Sequence, residues 1–198
     1  MTRPPKPLTR DRILAAALDI LDREGLEALS MRRIGEAVGV EAMSLYNHVP
    51  NKSALLDGIQ EVMLGLVERA PKGVDWRGFA RHQARSLHHV LRKHPNAIAL
   101  FARPAGTTAV FARLEDYLGV LIAAGFAPLE ALNVVQIVMA FVVGHALFAA
   151  SAHEGGALPS GKNVEAVARE LGTYDADEEL ELGLDALLRG LSPKGKKR

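Results

Sequence analysis

Residues 30–57, SMRRIGEAVGVEAMSLYNHVPNKSALLD, admit few folds. Two short runs of helical spacing are separated by the Gly39–Val40 step. A Tyr-Asn-His tip follows, and then Pro50, which disfavours helix at the residue before it. Ser30 and Asn51 are of the type that caps helix N-termini, and Gly39 is suited to a turn with positive φ. Short helix, tight turn, short helix is the layout of a helix-turn-helix, whose second helix enters the major groove of DNA. The spacing predicts Ala37 as the small residue where the two helices cross. It predicts Ile34, Val38, Val40 and Leu45 in the wedge between them. Ala42, Met43, Ser44, Tyr46, Asn47 and His48 are then left facing outward.

The rest of the chain fits the same class. Aromatic residues make up 5% of the 198 and no segment alternates at period two, which favours helix over strand. The expected fold is all-α, in nine or ten helices. A first helix runs from Thr9 to Glu24 and stops at Gly25. The helix opened by Asn51 presents Leu55, Leu56, Ile59, Met63, Leu66 and Val67 on one side and links onward to about residue 70. Helices follow over 75–93, 96–102, 108–124, 128–153, 163–171 and 175–191, with a loop over 154–162. The expected domains are a DNA-binding domain over 1–57, a second domain over 58–191 and a disordered basic tail over 192–198. The apolar stretch 137–152, broken by Gly144 and His145, reads as a buried helix too short to span a membrane. The absence of cysteine excludes disulfides and thiolate metal sites and fits a cytoplasmic protein.

A net charge of +1 does not announce a nucleic-acid binder. The local chemistry does. Asn47 and Ser44 can bond base edges, Met43 or Ala42 can meet a thymine methyl, and Tyr46 and His48 can bond phosphates. Arg32 can reach a groove edge, and Arg33 and Lys52 can neutralise backbone charge. The runs LTRDRILAAALDILDREGLEALSMRRIGEAVGV and LYNHVPNKSALLDGI resemble the DNA-binding domain of the tetracycline-repressor (TetR) family of bacterial regulators. More loosely, DWRGFARHQARSLHHVLRKHP and FARPAG resemble the start of its ligand-binding domain. The resemblance places Arg32, Ala42, Met43, Ser44, Tyr46, Asn47, His48 and Lys52 at the DNA face. It also shows departures. Gln, Pro and Thr stand in the tetracycline repressor where Ala42, Met43 and Ser44 stand here, and Trp stands where Asn47 does, so a different operator is expected.

For the second domain the resemblance implies a homodimer through the 128–153 and 175–191 helices, and a small-molecule effector. Candidate pocket residues are Phe79, His82, Gln83, Leu87, Leu100, Phe101, Phe111, Gln136, Met139, Val143, His145 and Phe148. Ala99 stands where the family's namesake has a metal-drug histidine, and Val67 or Glu68 where it has another drug-contacting histidine, so magnesium-tetracycline is not the expected effector. His88–His89 cannot substitute, because neighbours on a helix point about 100° apart. Arg77, Arg81 and Arg85 form an i, i+4 stripe, read as a solvated face, with an anionic effector or a second DNA contact as the alternatives. No catalytic set, phosphate loop or cofactor motif is present. The expected function is a repressor that binds a palindromic double-stranded operator and is released by its effector; an activator or architectural DNA binder without an effector is the alternative.

Overall fold

The computed structural model describes residues 7–103, 106–151, 161–170 and 175–194. Every regular element among them is a helix. The basic arm before Pro7, the loop expected over 154–162 up to residue 160, and the tail beyond Lys194 lie outside the described residues. The chain divides into two compact units. One combines Met1–Arg69 with His89–Tyr117, the other Ala70–His88 with Leu118–Arg198.

In the first unit, local chemistry sets the helix ends. Helix α1 (Arg10–Glu24) starts where the Thr9 hydroxyl accepts from the Arg12 N–H at 3.2 Å. Helix α2 (Met31–Val38) starts at Ser30, whose hydroxyl accepts from the Arg33 N–H at 3.3 Å. Helix α4 (Lys52–Leu66) starts at Asn51, whose side chain accepts from the Ala54 N–H at 2.8 Å. Between α2 and α4 lies α3 (Ala42–Leu45), a single turn. Its support is a buried apolar core of Ile13, Leu14, Ala17, Leu21, Ile34, Leu45, Val49, Leu55, Ile59 and Met63. Burial of each of these side chains other than Ala17 stabilises the unit by roughly 1.5–3 kcal/mol before entropy is charged against it.

Helix α4 ends earlier than its apolar pattern suggests. Val67 turns to extended backbone (φ −71°, ψ 119°), and its carbonyl accepts from the Arg113 guanidinium at 2.9 Å instead of a helical N–H. Leu66, expected on the apolar side, is 52% exposed. The 96–102 stretch is a 3-10 helix, Pro95–Ala102. It is bolted to the helices beside it. Arg103 reaches Asp57 (2.8 Å) and Ser53 (3.1 Å) on α4, while His94 meets the Asp22 carboxylate (2.8 Å) and Asn96 its carbonyl (3.0 Å) on α1. Helix α6 (Thr108–Ala123) follows, and the Thr107 hydroxyl accepts from the Val110 N–H at its start.

The second unit contains the first part of helix α5 (Trp76–Lys93), and helices α7 (Pro128–Ser151), α8 (Lys162–Glu170) and α9 (Ala176–Gly190). The arginine stripe on α5 is not a solvated face. Arg81 binds Glu181 (2.8 Å) and Asp185, and Arg85 binds Glu181. Arg77 lies over the Trp76 ring at 4.4 Å and donates to the carbonyls of Leu188 and Leu191, both at 3.0 Å. Those carbonyls belong to the C-terminal end of α9, where a helix leaves acceptors without partners and cations are favoured. The stripe is therefore a clamp that docks α9 on α5, and its guanidinium groups are already engaged. The sequence could show the period but not the partner, which lies about a hundred residues away.

The clamp holds its carboxylates below their ordinary range. Burial raises the Glu181 carboxyl, but hydrogen bonds from Arg85 and Arg81 outweigh this and leave it below its ordinary value. Asp185 is lowered too, chiefly by its hydrogen bond from Arg81. Depressed carboxyls add stability above their unfolded pKa and lose it as pH falls through the folded value. Arg81→Ala should lower stability only slightly at neutral pH, because the pairs are part-exposed and screened by solvent. It should also flatten the fall in stability on acidification. Urea unfolding of both proteins at neutral and mildly acidic pH checks this; an acid response unchanged by the substitution would mean these pairs are not its source.

Helix α7 is buried on one stripe, not all round. Ala131, Val134, Val138, Val142 and Ala146 face inward. Leu129, Ile137, Leu147 and Phe148 are exposed in the single chain. With 24 residues, α7 is also long and apolar enough to cross a membrane. The expectation that this stretch is too short to do so is thereby corrected. What places α7 in a globular unit is its packing. Phe141 lies so close to Gly183 of α9 that a Cβ there would fall within 2.7 Å of two of its ring carbons.

Candidate nucleic-acid interface

The turn between α2 and α3 depends on two glycines. Gly39 takes the left-handed conformation (φ 74°, ψ 35°) that its lack of a Cβ permits. Gly35, not Ala37, makes the close crossing. A Cβ on Gly35 would stand 2.8 Å from the Val40 carbonyl oxygen and 3.2 Å from the Ala42 nitrogen. Ala37 is exposed. Two positions along a helix differ by about 200° in direction, so the correction moves the contact to the opposite face of α2. Arg12 of α1 adds a further fixing point by donating to the Val38 carbonyl at 2.7 Å. Neither Gly35 nor Arg12 stood out in the sequence, because each acts through a neighbour that only the fold supplies.

This scaffold divides the α3 segment in two. Leu45 and Val49 are buried at 0% and 1% exposure. Met43 (73%) and Tyr46 (43%) are exposed, as are Asn47, His48 and Lys52. Ala42 and Ser44 are half-buried. The outward row thus carries an apolar tip, a phenol, an amide, an imidazole and an ammonium, the groups that meet base edges and phosphates. Arg32 is open, with Glu36 at a loose 3.8 Å. Arg33 is drawn to Glu24 at 2.5 Å, which engages part of its charge within the protein. Arg10 and Arg23 are likewise held, by Glu61 and Asp19.

The expected pocket residues are split by unit. Leu100 (buried), Phe101 (half-buried) and Phe111 (exposed) belong to the first. Phe79, His82, Gln83, Leu87, Gln136, Met139, Val143, His145 and Phe148 belong to the second. Gln83 and Leu87 are buried, and Phe79, His82, Met139 and Val143 are half-buried. The His82 Nε2 atom is shielded from solvent without a hydrogen-bond partner among the described residues. Gln136 and Phe148 face outward in the single chain. His145 is occupied within the unit by His88 at 2.9 Å. Ala99 and Glu68 are both exposed.

A one-turn helix braced by three packed helices, in a chain that also holds a second helical unit, defines a helix-turn-helix transcriptional regulator. Comparison with known proteins agrees. Residues 13–59 match the family described as "Bacterial regulatory proteins, tetR family", and residues 70–194 match "Tetracyclin repressor-like, C-terminal domain". The chain belongs to the TetR family. It is 29% identical to the class G tetracycline repressor protein of Vibrio anguillarum, over 92% of this chain and 93% of that protein. It is 38% identical to an HTH-type transcriptional regulator of Saccharopolyspora erythraea, over 70% of this chain and 60% of that protein. Among solved structures it is similar to Streptomyces coelicolor ActR in complex with actinorhodin. The TM-score is 0.77 at 30% identity, covering 93% of this chain and 97% of that one.

Proposed function

We propose that this regulator is a repressor that binds a palindromic operator as a homodimer and is released by a small-molecule effector. The observation that carries it is the outward row Met43, Tyr46, Asn47, His48 and Lys52, set by Gly35 and Gly39 against a rigid core. The row is too short to select an operator alone, so two copies on half-sites one helical turn apart supply the rest. The exposed apolar side of α7 and α9 is the surface that joins the copies. The effector acts by binding better to a conformer whose two readers no longer match the half-site spacing. The similarity to ActR in complex with actinorhodin supports a small-molecule effector. Ala99, and Val67 or Glu68, stand where the resemblance places two drug-contacting histidines, which supports an effector other than magnesium-tetracycline. The work is done on chromosomal DNA in the bacterial cytoplasm, without catalysis.

Gel-shift titration against the intergenic DNA beside the gene tests the reader. Asn47→Ala should cost about 1–3 kcal/mol and relax sequence preference at one position of each half-site. Lys52→Ala should weaken binding to all sequences alike and lower the salt dependence by about one counterion per subunit. Unaltered operator binding in both variants would remove this face from the site. An effector that stabilises the protein thermally and dissolves the complex completes the proposal. A ligand screen that stabilises nothing, with DNA binding intact, favours an effector-free regulator.

A further inference from the structure

Glu24 and Arg33 each stand at the wrong end of a helix. Glu24 closes α1, where the negative pole of the helix dipole disfavours an anion. Arg33 lies in the first turn of α2, where the positive pole disfavours a cation. Arg33 Nη2 meets Glu24 Oε2 at 2.5 Å, with the two side chains 40% and 35% exposed. Neither charge supports its own helix, and each is offset by the other.

The place of this pair gives it weight. In a helix-turn-helix the first helix crosses the phosphate backbone, and α2 is that helix. Helices α2, α3 and α4 carry three cations, Arg32, Arg33 and Lys52. Arg32 is 81% exposed, with Glu36 no nearer than 3.8 Å, and Lys52 is exposed. Of the three, Arg33 is the one with a carboxylate at contact distance among the described residues. The whole chain has a net charge of +1, so attraction to DNA depends on a few local charges, and one in three is a large share.

Backbone binding is driven by release of the counterions that protein cations replace. A guanidinium paired with a carboxylate sums to zero and replaces none, even where a spare N–H reaches a phosphate oxygen. To use Arg33 fully, DNA must displace Glu24 and leave its charge close to the phosphates. We propose that Glu24 is a built-in counter-charge that withholds Arg33 from the DNA backbone and so sets the affinity and salt dependence of binding. Binding to non-operator DNA is almost wholly electrostatic, so the restraint bears on it in full and keeps copies of the regulator free for the operator. The pair is part-exposed and contributes little to stability, which leaves its charge balance as its main effect. The inference rests on the DNA face proposed above.

The test titrates the full chain against a labelled non-operator duplex by fluorescence anisotropy, at salt concentrations from about 50 to 200 mM. Glu24→Gln keeps the side-chain shape and removes the charge. Binding should tighten, and the plot of log affinity against log salt should steepen by about one counterion per subunit. With two subunits bound, the variant's advantage should shrink by about tenfold across that range. A damaged fold does not produce such a gain. Glu24→Gln/Arg33→Gln has the wild-type charge and should return to the wild-type slope. An unchanged slope or weaker binding in Glu24→Gln would overturn the proposal, the latter because Glu24 then orients Arg33 instead of withholding it. A steeper slope that persists in the double variant would overturn it too, since the gain does not pass through Arg33. Lys52→Ala, run alongside, reports on the face itself. If it lowers the slope while Glu24→Gln changes nothing, the face stands and this proposal alone fails; if neither variant moves the slope, both fall.

Discussion

Gly35→Val is expected to abolish operator binding although it substitutes none of the reader's outward side chains. A Cβ at this position meets the Val40 carbonyl oxygen at 2.8 Å and the Ala42 nitrogen and Cα at 3.2 and 3.4 Å. These are backbone atoms, so no rotamer change relieves the contact. Either α2 and α3 separate or the turn at Gly39 deforms, and both swing the reader away from the groove. Overpacking of this kind costs up to about 3 kcal/mol. Gly35→Ala should fall between, because part of its clash is offset by the helix propensity that alanine gains over glycine, about 1 kcal/mol. Ala37→Leu, on the exposed face, should leave stability within about 0.5 kcal/mol of wild type. Urea unfolding with gel-shift titration checks the series. If the valine variant is stable and binds operator, close approach at Gly35 is not what positions the reader.

The same residue marks where reading a sequence runs out. The caps at Thr9, Ser30 and Asn51 were legible because a cap is a bond across three residues. Gly39 was legible because a turn is local too. Whether Gly35 or Ala37 lies at the crossing depends on the phase at which α2 docks, which the second helix decides. Helix α7 shows a different limit. An apolar sequence all round says that the helix must be covered, but not whether its own chain or a second copy does the covering. The outward row of the reader was largely foreseen, because Leu45 and Val49 could hardly face anything but the core. The partners of the arginine stripe, and the meeting of His88 with His145, were not, since they depend on how α5, α7 and α9 pack.

Leu182→Arg is expected to split the dimer and lower operator affinity by at least about 100-fold. Leu182 on α9 is 73% exposed in the single chain, and Phe148 on α7 is 78% exposed. Large side chains this open on two neighbouring helices mark an interface. The single chain does not rely on Leu182, so the subunit should keep its fold. A charge buried between two copies without a partner costs several kcal/mol, and symmetry introduces it twice. Separated readers then bind half-sites one at a time and lose the effective concentration that linkage gives the second. Sedimentation and operator titration of Leu182→Arg, with Phe148→Glu as an independent probe, provide the measurement. A dimer that survives both substitutions would place the subunit contact elsewhere.

Helix α3 contains four residues, far fewer than a helix needs to persist on its own. Its shape is imposed by Leu45, Val49 and the turn before it, and Met43, Tyr46 and Asn47 add almost nothing to the core. Exchanging them leaves the fold untroubled, since surface positions of this kind shift stability by about 0.5 kcal/mol or less. Under the proposed function, recognition and folding thus fall to separate letters of the same short segment. A lineage carrying this scaffold can drift from one operator to another by single substitutions, each passing through a folded protein, and a designer can retarget it by the same route.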